Sequence, residues 1–440
     1  MIDGYESYRP SGFSWLGEIP EHWKASLIKR HYNVTLGKML TTEPKTDRDT
    51  LHPYLKAANI QWAGIDTTDL NKMWFSPEEK EKLRLQIGDL IVSEGGDAGR
   101  VAVWSHAIEC YIQNAALRIR ESGEDTNQFL YYWLQFIKRN GLIDIICNKS
   151  TIAHYTAEKV EVTEVVLPPP EEQIEITRYL NNQTSRIDSL ISEKQRFIEL
   201  LKEKRQALIS HVVTKGLDAN VEMKDSGVEW MGSIPAHWNV KKLKTIGKAI
   251  IGLTYSPDDV QDDGTIVLRS TNIQEGKISL HDNVYVDKQI PAKLTTKLND
   301  ILICSRNGSR KLIGKNALID EKSVGMSFGA FTTVFRSDIN KFVHLLLNSS
   351  LFDYQAGMFL TTTVNQLTTG MLNNFEVPVP PIEEQSAIVD EANRQTEKFD
   401  LLIKETICSI DLLKEHRSAL ISAAVTGKID VRGFDNKGAA

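Results

Sequence analysis

Cysteine is scarce: Cys110, Cys147, Cys304 and Cys408 stand far apart in 440 residues, with no C-x-x-C pair and no neighbouring histidine cluster. That spacing suggests neither a disulfide framework nor a zinc site, leaving buried or idle thiols. Long apolar runs are missing as well. No stretch reaches the roughly 18 residues a membrane span needs, and no signal-peptide pattern opens the chain, so a cytoplasmic protein without a membrane partner is expected. Charge of one sign does not dominate, and a net charge of −6 argues against a surface coated all over for nucleic acid. Also absent are Asn-Pro-Pro-Tyr and Asp-Pro-Pro-Tyr for amino methylation, a glycine motif suited to S-adenosylmethionine, and a G-x-x-x-x-G-K-[ST] phosphate loop. Catalysis and a resident cofactor or metal are therefore not expected in this chain.

The mean charge hides a local imbalance. From Val240 to Arg336 there are 15 Lys and Arg against 10 Asp and Glu, a balance of +5, whereas Met1–Trp23 sets Arg9 alone against Asp3, Glu6, Glu18 and Glu21. A basic face on an acidic protein is compatible with these counts.

What the sequence does contain, it contains twice. "SGFSWLGEIPEHWKA" (Ser11–Ala25) is answered by "SGVEWMGSIPAHWNV" (Ser226–Val240), and "YLKAANIQ" (Tyr54–Gln61) by "VLRSTNIQ" (Val267–Gln274). "GDLIVSEGGDAGR" (Gly88–Arg100) is answered by "NDILICSRNGSRKLIGK" (Asn299–Lys315), and "LPPPEEQ" (Leu167–Gln173) by "VPPIEEQ" (Val379–Gln385). A near-constant offset over 440 residues means a duplicated unit of roughly 210 residues, too long for a solenoid repeat.

Each copy opens with short β-branched and aromatic runs punctuated by Gly, Asn and Asp, which predicts a mixed α/β globule. The prolines then stop that pattern, and the acidic pairs Glu171/Glu172 and Glu383/Glu384 favour the positive end of a helix dipole. No further Pro or Gly occurs until Gly216 and Gly427, so a long helix is predicted over 167–217 and another over 379–427. Apolar residues recur at heptad spacing on Leu180, Ile187, Leu201 and Leu208, interrupted by Lys194, with a second seam at Leu190 and Phe197. The other helix carries Ala392, Phe399, Thr406, Leu413 and Leu420, with Leu402 and Ile403 alongside. The expected fold is α+β: globular domains over 1–166 and 218–378 (with a linker over 218–239), joined by two long helices in an antiparallel coiled coil, followed by a tail over 428–440. A helix of about 40 residues is about 60 Å long. Its length would set the separation of the two globules.

In order and spacing, the Trp-Gly-Ile-Pro-His-Trp opening, the Gly-Asp-Leu-Ile strand with its glycine loop, the Pro-Pro-Glu-Glu-Gln hinge and the helix ends "KRQALISHVVTKGLD" and "HRSALISAAVTGKID" resemble the specificity subunit of type I restriction-modification enzymes. The resemblance spans essentially the whole chain. It implies two target recognition domains that each read one half of a bipartite site in double-stranded DNA, related by an internal pseudo-twofold. It also implies two methyltransferase subunits docked on the helices and restriction subunits joining them, with S-adenosylmethionine, ATP and magnesium on those partners. A stand-alone DNA-binding regulator and a pure assembly scaffold are the alternatives.

Base readout needs paired donors or acceptors that reach the groove, with Arg to guanine and Asn or Gln to adenine as the usual pairings. The loop "SRNGSRKLIGK" offers Arg306, Asn307, Arg310, Lys311 and Lys315; its counterpart keeps Arg100 but adds Glu94 and Asp97. Lys56 with Asn59 and Arg269 with Asn272 occupy the repeated strand-to-turn segments, where Asn is also a common turn former. The resemblance adds the segments before the hinges: Lys149, Thr151, His154 and Tyr155 in one copy, Thr363, Asn365 and Gln366 in the other. Lys241, Lys242 and Lys244 suit phosphate contacts, which position a reader without conveying sequence. Trp15, Trp23, Trp230 and Trp238 are expected to pack rather than to stack on bases.

Overall fold

The computed structural model describes residues 4–147, 153–359 and 365–434; Lys149, Thr151 and Thr363 lie outside the described residues. The chain forms two compact units, Met1–Glu193 with Ser409–Ala440, and Lys194–Cys408. They divide inside the two long helices rather than at the proline hinges, so each helix contributes to both units.

In the first unit, β1 (Tyr32–Leu36), β2 (Leu90–Ser93), β3 (Val101–Val103) and β4 (Ala116–Glu121) form an antiparallel sheet of order β3-β2-β4-β1. The Leu-Ile-Val run of β2 has no polar alternation because both of its faces are covered: Leu90 and Val92 enter the main core, and Ile91 enters a second one. Helix α1 (Asn127–Arg139) is capped by the Thr126 hydroxyl, which accepts from the Phe129 amide at 3.3 Å. It buries Phe129, Leu130, Trp133, Leu134 and Ile137 at helical spacing against the sheet's main core. Helix α2 (Pro170–Lys215) then begins.

The second unit repeats this design with β5 (Lys248–Ile251), β6 (Ile301–Cys304), β7 (Asn316–Leu318) and β8 (Thr332–Arg336) in the equivalent order β5-β8-β6-β7. Ile301 and Ile303 face one core, Leu302 and Cys304 the other. Helices α3 (Asn340–Leu347) and α4 (Ile382–Val425) complete the correspondence. A glycine follows the first strand in each copy for the same reason. A Cβ on Gly37 would lie 2.3 Å from the Gln113 carbonyl oxygen, and one on Gly252 would lie 2.2 Å from that of Gly329.

The repeated opening motif binds the repeated hinge. In the first unit Trp23 Nε1 donates to Glu172 Oε1 at 2.9 Å, His22 Nε2 lies 2.7 Å from Glu172 Oε2, and the Tyr5 hydroxyl donates at 2.5 Å. In the second, Trp238 Nε1 and His237 Nε2 reach Glu384 at 2.9 and 2.8 Å. Both carboxylates sit in the first turn of a long helix, where the dipole favours them. Gln173 and Gln385 donate back to the Pro168 and Pro380 carbonyls. Gly216 and Gly427 end the helices at φ +74° and +72°; a Cβ at Gly427 would strike Pro20 Cδ at 2.3 Å, so the helix end lies against the same Ile-Pro segment. Trp23 and Trp238 are fully buried, and Trp15 and Trp230 are packed against the same cores.

Within each unit the two long helices run antiparallel. Arg417 Nε meets Asp188 at 2.9 Å in the first unit and Arg205 Nε meets Asp400 at 2.9 Å in the second. The two residue numbers have the same sum in both pairs, as antiparallel pairing requires. Leu180, Ile187, Leu201, Ala392 and Thr406 are buried as their spacing predicts. The second seam departs from expectation: Leu190, Phe197 and Leu402 are exposed, and no residue from Asp188 to Phe197 is buried, because two helices alone cover only one stripe of each other.

Among the described residues, no helix is long and apolar enough to cross a membrane, and no His, Cys, Asp and Glu side chains cluster as a metal site would need. Cys110, Cys147 and Cys304 are buried free thiols, and Cys408 is exposed.

On α3, burial and then the nearby Arg205 charge push the His344 imidazole down to about 4. A histidine depressed in the folded state binds fewer protons than in the unfolded chain, where it titrates near 6.5. Its contribution is therefore complete above pH 6.5 and is lost as pH falls toward 4, by up to about 3 kcal/mol. In urea titrations between pH 7 and 4, His344→Gln is expected to flatten the acid loss of the second unit; an unchanged slope would contradict this assignment.

Candidate nucleic-acid interface

Two segments singled out in each copy, the loop after the central strand and the stretch before the hinge, lie side by side. In the first unit the Glu94 amide donates to the Ala115 carbonyl at 3.0 Å, and the Glu94 carbonyl accepts from the Tyr155 amide at 2.8 Å. In the second, Ser305 takes the place of Glu94, donating to Phe331 at 3.0 Å and accepting from Leu367 at 2.7 Å. The frame is the same and the side chains on it differ.

On the first frame, Gly95 approaches His154: a Cβ there would sit 3.6 Å from the imidazole. Burial raises the Glu94 carboxyl above its ordinary range while the His154 charge opposes the shift. Arg100 reaches Gln61 Oε1 at 3.4 Å and the Ala57 carbonyl at 3.3 Å, and Trp62 Nε1 donates to Asp97 at 3.2 Å. This face mixes acid, base and aromatic. The ring of Trp62 is 47% exposed and has no counterpart in the second copy, where Glu275 follows the same Asn-Ile-Gln.

The second frame is cationic. Arg306 and Gln366 form an antiparallel bridge at the positions of Gly95 and His154. The Arg306 guanidinium lies 5.3 Å over the Phe331 ring, and Asn365 Nδ2 donates to the Gly308 carbonyl at 3.0 Å. Asn307 Nδ2 is 3.5 Å from the Ser270 hydroxyl. Arg310 and Lys311 are exposed and Lys315 is half-buried beside them. Lys241, Lys242 and Lys244 are exposed at the other end of the globule's chain path, next to the hinge strand Glu376–Val379.

Three expectations are corrected. Asn59 and Asn272 are 6% and 1% exposed. Their Oδ1 atoms accept from the Lys56 and Arg269 amides at 3.1 and 2.8 Å, and their Nδ2 atoms donate to the Asp66 and Ser279 carbonyls at 3.0 and 2.9 Å. Gln61 and Gln274 close the same turns onto the Ala58 and Thr271 carbonyls. The repeated Asn-Ile-Gln is thus turn hardware, with no amide edge of either Asn left for a base. Tyr155 is a core residue: its side chain is fully buried, its hydroxyl lies 2.7 Å from that of Thr163, and Leu367 fills the equivalent place. Arg269 pairs with the exposed Asp282 at 2.9 Å, and Lys56 is half-buried at the edge of its turn.

Sequence reasoning missed Trp62 and Phe331, the exposed aromatics of the two faces. The signal for Trp62 was a large apolar residue directly after a turn motif; Phe331, in "GAFTTV", carried no local mark of exposure.

The family model for the type I restriction modification DNA specificity domain matches residues 33–200 and again 235–405. The chain is 23% identical over 430 residues to the MjaVIII type I restriction enzyme specificity subunit of Methanocaldococcus jannaschii, covering 95% of each. It is 27% identical over 208 residues to the EcoKI specificity subunit of Escherichia coli, covering 45% of this chain and 44% of that one. A solved chain of a type I R-M system, studied for its complex assembly and conformational transition, superposes with a TM-score of 0.71 at 15% identity over 93% of this chain and 99% of that one.

Proposed function

The chain belongs to the family of type I restriction-modification DNA specificity subunits, and from that membership we propose how its parts divide the work. Its role is DNA sequence recognition. Each unit reads one half of a bipartite, asymmetric site, and the observation that carries this is the shared backbone frame with different side chains: Gly95, His154 and Ala115 on one, Arg306, Gln366 and Phe331 on the other. A common frame with exchanged side chains gives two readers of different sequence. Lys241, Lys242 and Lys244 hold phosphates and fix register.

Two methyltransferase subunits dock on the long helices. Exposed leucines recur at the duplication offset, Leu190 with Leu402 and Leu200 with Leu412. The antiparallel register places Leu412 within a turn of the residue facing Leu190, and Leu200 within a turn of the one facing Leu402. Each unit therefore presents the same pair of leucines, which suits two copies of one partner. Methylation and cleavage, with their S-adenosylmethionine, ATP and magnesium, are assigned to methyltransferase and restriction subunits, in the cytoplasm where the DNA lies. Family membership does not favour the stand-alone regulator or the bare scaffold.

Docking is tested by native mass spectrometry of the assembly. L190E/L412E and L402E/L200E are each expected to reduce two methyltransferase copies to one, and the quadruple variant to none. Two copies retained throughout would refute docking at these leucines.

A further inference from the structure

The two frames differ most at one spot. Where the first unit has Gly95 beside the turn residue Ala115, the second has Arg306 beside Phe331, and the aligned backbone bonds make these the same positions of one design. Phe331 is 61% exposed, and its ring adds little to either core there. What it does contact is the Arg306 guanidinium, at 5.3 Å from the ring centre.

A cation–π contact needs no hydrogen-bond acceptor, and the Arg306 guanidinium donates to no other described residue, so its N–H donors stay free. The other arginines of the two faces are committed or unsupported. Arg269 is paired with Asp282, Arg100 is bonded to Gln61 and Ala57, and Arg310 has no ring beneath it among the described residues. Arg306 makes no ion pair among the described residues, and its backbone is fixed twice, by its amide on the Phe331 carbonyl at 3.0 Å and by the bridge to Gln366. It is a restrained arm with an unused fork, which is what bidentate recognition of guanine O6 and N7 requires.

We infer that Arg306 reads a guanine in the half-site recognised by the second unit, and that Phe331 is a positioning residue that holds its guanidinium in the reading orientation. This rests on the proposed division of the DNA site between the two units. The first unit, with Gly95 and Ala115, reads no base from this position.

The test uses the full chain assembled with its methyltransferase subunits, bound to a library in which both half-sites are randomised. In R306A and R306K, preference for guanine at one position of one half-site is expected to fall roughly 5- to 150-fold, the loss of one bidentate contact. F331L, which keeps the arginine but removes the platform, relaxes the same position by a smaller factor and leaves every other position unchanged. The intact half-site in each variant shows that the assembly is folded. A uniform loss of affinity with undiminished base preference would make Arg306 a phosphate contact and overturn the inference, as would relaxation in F331L at a different position. If the wild-type assembly selects no bipartite site, it is the division of the site between units that fails.

Discussion

Glu172→Ala is expected to destabilise the first unit by about 4 kcal/mol, whereas Glu384→Ala costs the second about half as much. The two carboxylates stand in the same place of the duplicated design, but their surroundings differ. Glu172 is 6% exposed and Glu384 28%. Among the described residues, Glu172 is met by the side chains of Tyr5, His22 and Trp23, and Glu384 only by those of His237 and Trp238. Removing Glu172 strands the Trp23 N–H and the Tyr5 hydroxyl in a dry core, and each stranded donor costs about 1–3 kcal/mol. Burial, the largest cause that holds that hydroxyl above its usual range, persists without the carboxylate, so the hydroxyl does not ionise in compensation. The loss spreads to the chain ends. The Tyr8 hydroxyl donates to the Gly427 carbonyl at 3.0 Å and Arg432 lies 4.9 Å over the Tyr5 ring, so the N-terminal and C-terminal segments share this anchor. Hydrogen exchange resolved by segment should show residues 5–23 and 424–434 opening together in Glu172→Ala. Protection within about 1 kcal/mol of wild type would contradict the role given to this carboxylate.

Arg120→Ala and Arg336→Ala should each cost about 3–5 kcal/mol in their own unit. Asp89 and Asp300 are 2% exposed at the start of the central strands. Each takes a two-pronged bond from its arginine, at 2.6 and 2.7 Å in the first unit and at 2.8 and 2.6 Å in the second. Truncating the arginine leaves a buried charge with one backbone donor, from Gln86 or Lys297. Denaturant midpoints of each variant against wild type at pH 7 measure this directly. A deficit below about 1 kcal/mol would mean the pairs are not structural.

The sequence carried the duplication, the proline hinges and the two long helices openly, because tryptophan, proline and glycine each mark a geometry that few other residues satisfy. The packing role of Trp23 and Trp238 was readable for the same reason, though not that the hinge glutamate binds them. The Asp–Arg pairs stayed hidden: the partners are 31 and 36 residues apart, and only the sheet order brings them together. Heptad spacing located Leu180 and Ile187 correctly but could not tell that Leu190 and Phe197 face outward, since spacing alone does not say how many helices surround a helix. The candidate interface was legible in outline and blurred in detail. The sequence offered both loops and both hinge-side segments as candidates without showing that they lie side by side, Asn59 and Asn272 serve their own turns, and the exposure of Phe331 depends on where the turn before its strand falls in the sheet.

The most direct test of the function is a genome-wide map of methylated bases with the gene present and deleted. One bipartite motif, its two halves different in sequence, should disappear on deletion and return with the wild-type gene. A map unchanged by the deletion, in cells that make the chain and the proposed methyltransferase partner, would contradict the proposed role in directing methylation to a bipartite site.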